Sequence, residues 1–175
     1  MPQFESTVVE RREEAPGCVT LVLDPRAPAH YRAGQFLSID PRALDATRDR
    51  VARSEAAKGR RERPRAYSLA SAPHEPLLAI TVKAEPDGLY PSVLTPHLVH
   101  GVHPGDTLPF SGFNGLYALP EALPPGAHVL HVVAGTGIVP NWSILKDALH
   151  RGVDVRHTLL YSSKSYSEMI YRTDL

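Results

Sequence analysis

The chain has 175 residues, 42% of them apolar, and its 19 lysines and arginines balance 19 aspartates and glutamates. That is enough apolar material for one generous domain or two small ones, which excludes global disorder, and a zero net charge gives no overall field to draw in nucleic acid. A single cysteine, Cys18, excludes an internal disulfide framework, a four-cysteine iron–sulfur centre and a structural zinc site; no apolar run reaches membrane-spanning length, so a reducing cytoplasm is the expected setting.

The 17 prolines are well above ordinary usage and favour short elements joined by rigid loops. Residues 4–13 and 17–23 read as strands, the second an apolar, β-branched run beginning at Cys18 after the turn Pro16-Gly17. Residues 34–39 read as a third strand. Residues 41–63 then carry eight lysines and arginines against four acids, with alanines and no apolar periodicity. This charged insertion is expected as a solvated helix or a disordered excursion outside the core; docking of an acidic electron-transfer partner is its functional alternative.

Strands follow at 65–71 and at 77–83, where Leu78, Ile80 and Val82 alternate. Asp87-Gly88 marks a turn, Pro96 opens a short helix, and Gly105-Asp106 leads into a strand near 107–110. Short strands at this spacing suggest an antiparallel barrel or sandwich. After Pro124-Pro125-Gly126 the style changes. A compact strand at 128–133 precedes Gly135-Thr136-Gly137 and a helix whose apolar face is expected to be Ile138, Trp142, Leu145 and Leu149. Arg151-Gly152 ends it, 156–161 is another strand, and Tyr166 to Asp174 reads as the start of a second helix. Strand, helix, strand, helix indicates a parallel α/β unit, with the boundary near residue 123.

Three short segments can carry chemistry. Arg65-x-Tyr67-Ser68 offers a guanidinium fork suited to phosphate, a flat ring with a polar tip, and a hydroxyl that both donates and accepts. Alone, it reads as an alternating strand with Tyr67 in the core. Ala134-Gly135-Thr136-Gly137-Ile138-Val139-Pro140 lets a pyrophosphate approach the backbone at a helix start, yet Pro140 departs from the dinucleotide fingerprint, and a bare tight turn is the alternative. Ser163 and Lys164 end the last strand, at the sheet edge where such folds bind ligands. His97, His100 and His103 recur at spacings of three, but no carboxylate or further histidine stands at ligand spacing, so they read as surface histidines and no metal is expected.

In this order the segments resemble the ferredoxin-NADP reductase superfamily over nearly the whole chain. Gly34-Gln35-Phe36 is similar to its strand before the flavin motif. Ile80-x-Val82-Lys83, Gly88 and Thr95-x-x-Leu98 are similar to its second flavin segment, with Ser92 as the other candidate hydroxyl. Ser111-Gly112-Phe113-Asn114-Gly115 resembles its glycine-bearing loop without the usual proline. The resemblance implies a β + α/β architecture: a six-stranded antiparallel Greek-key β-barrel binding FAD over residues 1–123, then a truncated parallel α/β lobe for NAD(P)H over 124–175. It also implies that Arg65, Lys83, Gly88 and Thr95 or Ser92 serve the flavin phosphates. Tyr67 and Ser68 would serve the ring, with Ser68 near N5. Gly135, Thr136 and Gly137 would serve the nicotinamide nucleotide, and Ser163 and Lys164 a 2′-phosphate, NAD and NADP being equally open.

The implied reaction is hydride transfer from NAD(P)H to the flavin, with electrons passed to a ferredoxin-type or oxygenase partner. A flavin-binding electron-transfer subunit without its own NAD(P)H reaction, and a flavin-free barrel acting as an interaction module, are the alternatives. The short second lobe leads to an expectation of marginal stability or pairing with another chain as a homo-oligomer.

Overall fold

The structure, a computed structural model, describes residues 3–84 and 92–175. Gly88 therefore lies outside the described residues. Strands β1 (Gln3–Ala15) and β2 (Cys18–Asp24) form a hairpin around Pro16-Gly17. With β3 (Phe36–Ile39), β4 (Arg65–Ser68), β5 (Leu78–Lys83) and β6 (Thr107–Asn114) they make one antiparallel six-stranded sheet in the order β4-β3-β6-β1-β2-β5. Between the two end strands the chain makes one isolated bridge, Leu69 to Ile80, extended by Ala70 N–H donating to the Ala79 carbonyl at 2.7 Å. At Gly34 the backbone runs so close to the Tyr117 carbonyl that any side chain would collide with it.

The apolar run of β2 is buried on both faces, which is why it reads as continuous rather than alternating. Val19, Leu21 and Leu23 face the main core with Leu37, Ile39, Ile80, Leu98 and Phe110. Cys18 faces a second cluster with Ala70, Val133, Ile138, Val139, Ile170 and Tyr171. Burial pushes the Cys18 thiol up to about 12, so it is a packing residue and not a nucleophile.

The charged insertion forms two 3-10 turns and helix α1 (Arg48–Lys58), and it does not stay wholly outside the core. Leu44 joins the main cluster and Val51 is 3% exposed. Two apolar anchors among charged neighbours leave no periodic signal, which is why the sequence conceals them. Helix α2 (Leu94–His100) starts two residues before Pro96, since a proline in the first turn forfeits no helical hydrogen bond.

Strands β7 (Ala127–Ala134) and β8 (Val155–Ser162) pair in parallel, joined by helix α3 (Ile138–His150). The buried stripe of α3 is Ile138, Asn141, Ile144 and Ala148; Trp142 and Leu145 are half-buried, and Leu149 is 75% exposed. The expected face was rotated because two buried positions are polar. Asn141 is hydrogen-bonded through both its amide nitrogen and its amide oxygen, and Ser143 Oγ donates to the Ser71 carbonyl at 2.6 Å. On the sheet face away from α3, Leu130, Val132 and Leu160 are exposed.

The expected second helix after β8 is instead a single 3-10 turn, Tyr166–Glu168, followed by turns. Two backbone donors in the middle of this segment go to side chains: Ile170 N–H to the Tyr161 hydroxyl at 3.2 Å and Tyr171 N–H to Glu14 at 3.4 Å. Tyr171 is buried at φ 56°, its hydroxyl bonded to Thr81 and its ring stacked on Trp142. The tail thus pins the second lobe to β2 and β5.

Candidate functional site

A cleft of about 290 Å³ opens where the second lobe meets the ends of β4 and β5. Its walls are Ala66, Tyr67 and Ser68 of β4; Thr81, Val82 and Lys83 of β5; Thr95 of α2; and Thr136 and Val139 beside the glycine loop. The fold therefore brings five of the sequence-predicted residues, Tyr67, Ser68, Lys83, Thr95 and Thr136, to one place. It adds Ala66, Thr81, Val82 and Val139, to which the sequence assigns no role at a site; the alternation of β5 is the available signal for Thr81.

Tyr67 is held from below and from its tip. Its ring packs against the main core, and its hydroxyl lies 3.2 Å from Thr95 Oγ1. Burial raises the phenol above its ordinary range, with the Thr95 hydroxyl and the Arg65 charge acting the other way, so it stays a neutral donor at physiological pH. Ser68, half-buried, is beside it on the cleft wall.

The structure separates the roles of Ser92 and Thr95. Ser92 Oγ accepts the Thr95 N–H at 3.1 Å, a local bond that helps start α2, while Thr95 faces the cleft. Lys83 Nζ donates to Glu168 Oε2 at 2.8 Å, and this cation holds the Glu168 carboxyl below its usual range. Arg65 is half-buried on the same strand as Tyr67 but does not line the cleft.

Gly135-Thr136-Gly137 forms a 3-10 turn directly before α3. Gly135 has φ 50°, a conformation that favours glycine. Gly137 is different. Its φ is −62°, open to any residue, and a Cβ built there would meet nothing within 4 Å. Among the described residues, no packing contact calls for glycine at 137. Ser163 and Lys164 follow the end of β8, next to this loop by the register Ala134–Ser162, but outside the cleft; Ser163 Oγ donates to the Ser165 carbonyl at 2.6 Å.

A larger cavity, about 680 Å³, lies between residues 118–125 and the end of α3. Several of its charged groups already pair with one another, Arg32 with Glu121 at 3.6 Å and Arg151 with Asp147 at 3.2 Å. It gathers none of the predicted residues, so the smaller cleft is the candidate site despite its size.

No protein-family model matches the chain. It is 35% identical over 121 residues to an NADPH oxidoreductase of Mycobacterium tuberculosis (strain ATCC 25618 / H37Rv), covering 66% of this chain and 30% of the relative. It is 32% identical over 172 residues to the ferredoxin reductase component of a 3-ketosteroid-9-alpha-monooxygenase of Mycobacterium tuberculosis (strain CDC 1551 / Oshkosh), covering 94% of this chain and 42% of the relative. The chain belongs among the ferredoxin-NADP reductase-like proteins. Its fold matches that of ferredoxin-NADP+ reductase from Plasmodium falciparum with a TM-score of 0.75 at 18% identity, over 98% of this chain and 63% of the other. The chain thus spans less than half the length of these curated relatives. No helix among the described residues is long and apolar enough to cross a membrane.

Proposed function

We propose that this chain is the FAD-binding part, with the first portion of the NAD(P)H-binding lobe, of a flavin-dependent reductase. The observation that carries the proposal is the meeting of Tyr67, Ser68 and Thr95 with Thr136 in one cleft, although these three segments are far apart in sequence. In this reading the six-stranded sheet is a closed Greek-key barrel, residues 1–123 form the flavin unit, and 124–175 begin the nucleotide unit.

The residues present fit an FAD. Tyr67 presents a fixed, half-buried ring edge and a neutral hydroxyl; Ser68 supplies a hydroxyl beside it. Arg65, Lys83 and Thr95 supply two cations and a hydroxyl suited to phosphate oxygens, and Gly88 and Ser92 flank that segment. When bound, FAD supplies the exchange between two-electron chemistry with NAD(P)H and single-electron transfer onward. The protein's share is to hold the ring against Tyr67, offer Ser68 as a proton-exchanging hydroxyl, and keep water from the contact.

The open space at Gly137 supports the nucleotide half of the reading. A glycine that neither strain nor packing requires fits a loop approached closely from outside by a pyrophosphate. Thr136 would stand nearest the nicotinamide, and Ser163 and Lys164 nearest a 2′-phosphate. The acceptor would be a ferredoxin-type protein or an oxygenase component, as the relatives' names suggest for those proteins.

The test is a visible spectrum of the purified chain with added FAD, followed by anaerobic NADH or NADPH. Flavin absorbance that either nucleotide bleaches is expected. No bound flavin overturns the proposal, and bound flavin that neither nucleotide bleaches reduces it to a flavin-binding electron-transfer unit.

A further inference from the structure

Asn141 sits on the buried stripe of α3, one turn after Gly137 and 3% exposed. A buried amide is costly unless its donors and acceptors are met. Its Nδ2 donates to the Gly137 carbonyl at 3.0 Å, while Oδ1 accepts from the Tyr117 hydroxyl at 2.8 Å and faces His131 Nδ1 at 2.8 Å. A carbonyl can only accept, so the amide nitrogen must face Gly137 and the oxygen must face His131. His131 Nδ1 therefore carries the proton.

In the neutral ring that leaves Nε2 bare, and His157 Nδ1, 2.9 Å away, then donates to it. The hydrogen bonds run in one direction. They start at His157 on β8 and pass through His131 on β7 and Asn141 on α3 to the carbonyl that closes the Gly135–Gly137 loop. The remaining ring atom, His157 Nε2, is buried and has no hydrogen-bond partner among the described residues. Tyr117, from the segment after β6, ties the network to the six-stranded sheet. The ionisable groups in it are His131, His157 and Tyr117; none of them is used by the flavin cleft.

We infer that Asn141 is a positioning residue: held by His131, His157 and Tyr117, it fixes the Gly137 carbonyl and so keeps the Gly135–Gly137 loop in the form that receives a nucleotide pyrophosphate. The nucleotide part of this statement rests on the function proposed above; the ordering of the loop does not.

The test is hydrogen–deuterium exchange of the full chain, read on peptides covering the loop and the first turn of α3. Asn141→Asp keeps an oxygen for Tyr117 and His131 but sets a second oxygen, not a donor, against the Gly137 carbonyl. Loop exchange is expected to rise about tenfold, as for one net hydrogen bond, with β1–β6 unchanged. NADPH and NADH affinities by calorimetry should fall by about the same factor with FAD retention unaltered. Tyr117→Phe, at a half-exposed site that threatens folding little, should raise loop exchange about two- to threefold.

Nitrogen-15 spectra of the neutral wild type should show both histidine protons on Nδ1. Loop exchange within about twofold of wild type in Asn141→Asp, the result for a residue that only fills a polar slot, overturns the inference. A proton on His131 Nε2 does so too. If loop exchange rises while wild-type protein binds neither nucleotide, the nucleotide reading fails and the positioning role stands.

Discussion

Gly137→Ala separates what the fold needs from what a ligand needs. The residue has φ −62° and open space where a Cβ would go. Alanine therefore enters without strain and narrows the unfolded ensemble. The expected change is a gain of about 0.4–1 kcal/mol, or roughly 1–4 °C in a thermal melt for a chain of this size. The same methyl occupies the surface that a pyrophosphate would approach. Loss of a close backbone contact should weaken NADPH or NADH binding at least about tenfold, near 1.4 kcal/mol. Calorimetry and anaerobic bleaching of the flavin measure the loss, and the melt measures the gain. Gly135→Ala is the control: at φ 50° it should cost about 1–2 kcal/mol of stability whatever the ligand does. A Gly137→Ala protein that melts higher and binds nucleotide as well as wild type would refute the role assigned to the loop.

Other outcomes follow from the cleft and its surroundings. Arg65→Ala should weaken FAD retention, read as flavin lost on gel filtration, whereas Ser68→Ala should keep the flavin and slow its reduction; indistinguishable, wild-type-like behaviour of both would mean that this strand is only structural. Glu168→Gln removes one carboxylate from beside Lys83, raises the positive potential at the cleft edge, and should tighten FAD binding by a small factor, about two- to fivefold, with a steeper salt dependence, because the pair is only part-buried. His157 is held below its ordinary 6.5 by burial first and His131 second, so the unfolded chain binds its proton more readily than the folded one. Its contribution to stability is complete above that unfolded value and is lost as pH falls from there toward the lower folded value. Denaturant midpoints from pH 7.5 to 5 should show this fall, reduced in His157→Phe.

The strands of the first sheet were legible because β1, β2 and β5 carry alternating or β-branched runs punctuated in the sequence by Pro16-Gly17 and Asp87-Gly88. The glycine loop was legible because small residues between an apolar strand and an amphipathic helix have few other uses. Helix α3 shows the limit of that logic. Apolar spacing favoured Trp142 and Leu149, but Asn141 and Ser143 are the residues that turn inward, since their hydrogen-bond partners lie in the segment after β6, in β7 and before β5. Leu44 and Val51 were hidden for the opposite reason: two anchors in a charged segment have no period. The tail after β8 reads as helical by composition, yet the N–H groups of Ile170 and Tyr171 in its middle are claimed by Tyr161 and Glu14, residues brought there only by the tertiary fold.

The cleft is a product of docking rather than of either half alone. Tyr67, Ser68 and Lys83 belong to the antiparallel sheet, and Thr136 and Val139 reach them only because Ile138, Val139, Ile170 and Tyr171 pack on Cys18 and Ala70. That second cluster is also what buries the outer face of β2. A change at Tyr171 should therefore act on both stability and site geometry. Tyr171→Phe removes the hydroxyl contact to Thr81, a cleft residue, while keeping the stack on Trp142. Losing one buried hydrogen bond should cost about 1–2 kcal/mol in denaturant unfolding. If the docking argument is right, the same variant should also reduce the flavin more slowly with NAD(P)H, because Thr136 and Ser68 are no longer held across the cleft. A variant that loses stability yet reduces the flavin at the wild-type rate would show that the two halves meet at the cleft without depending on this contact.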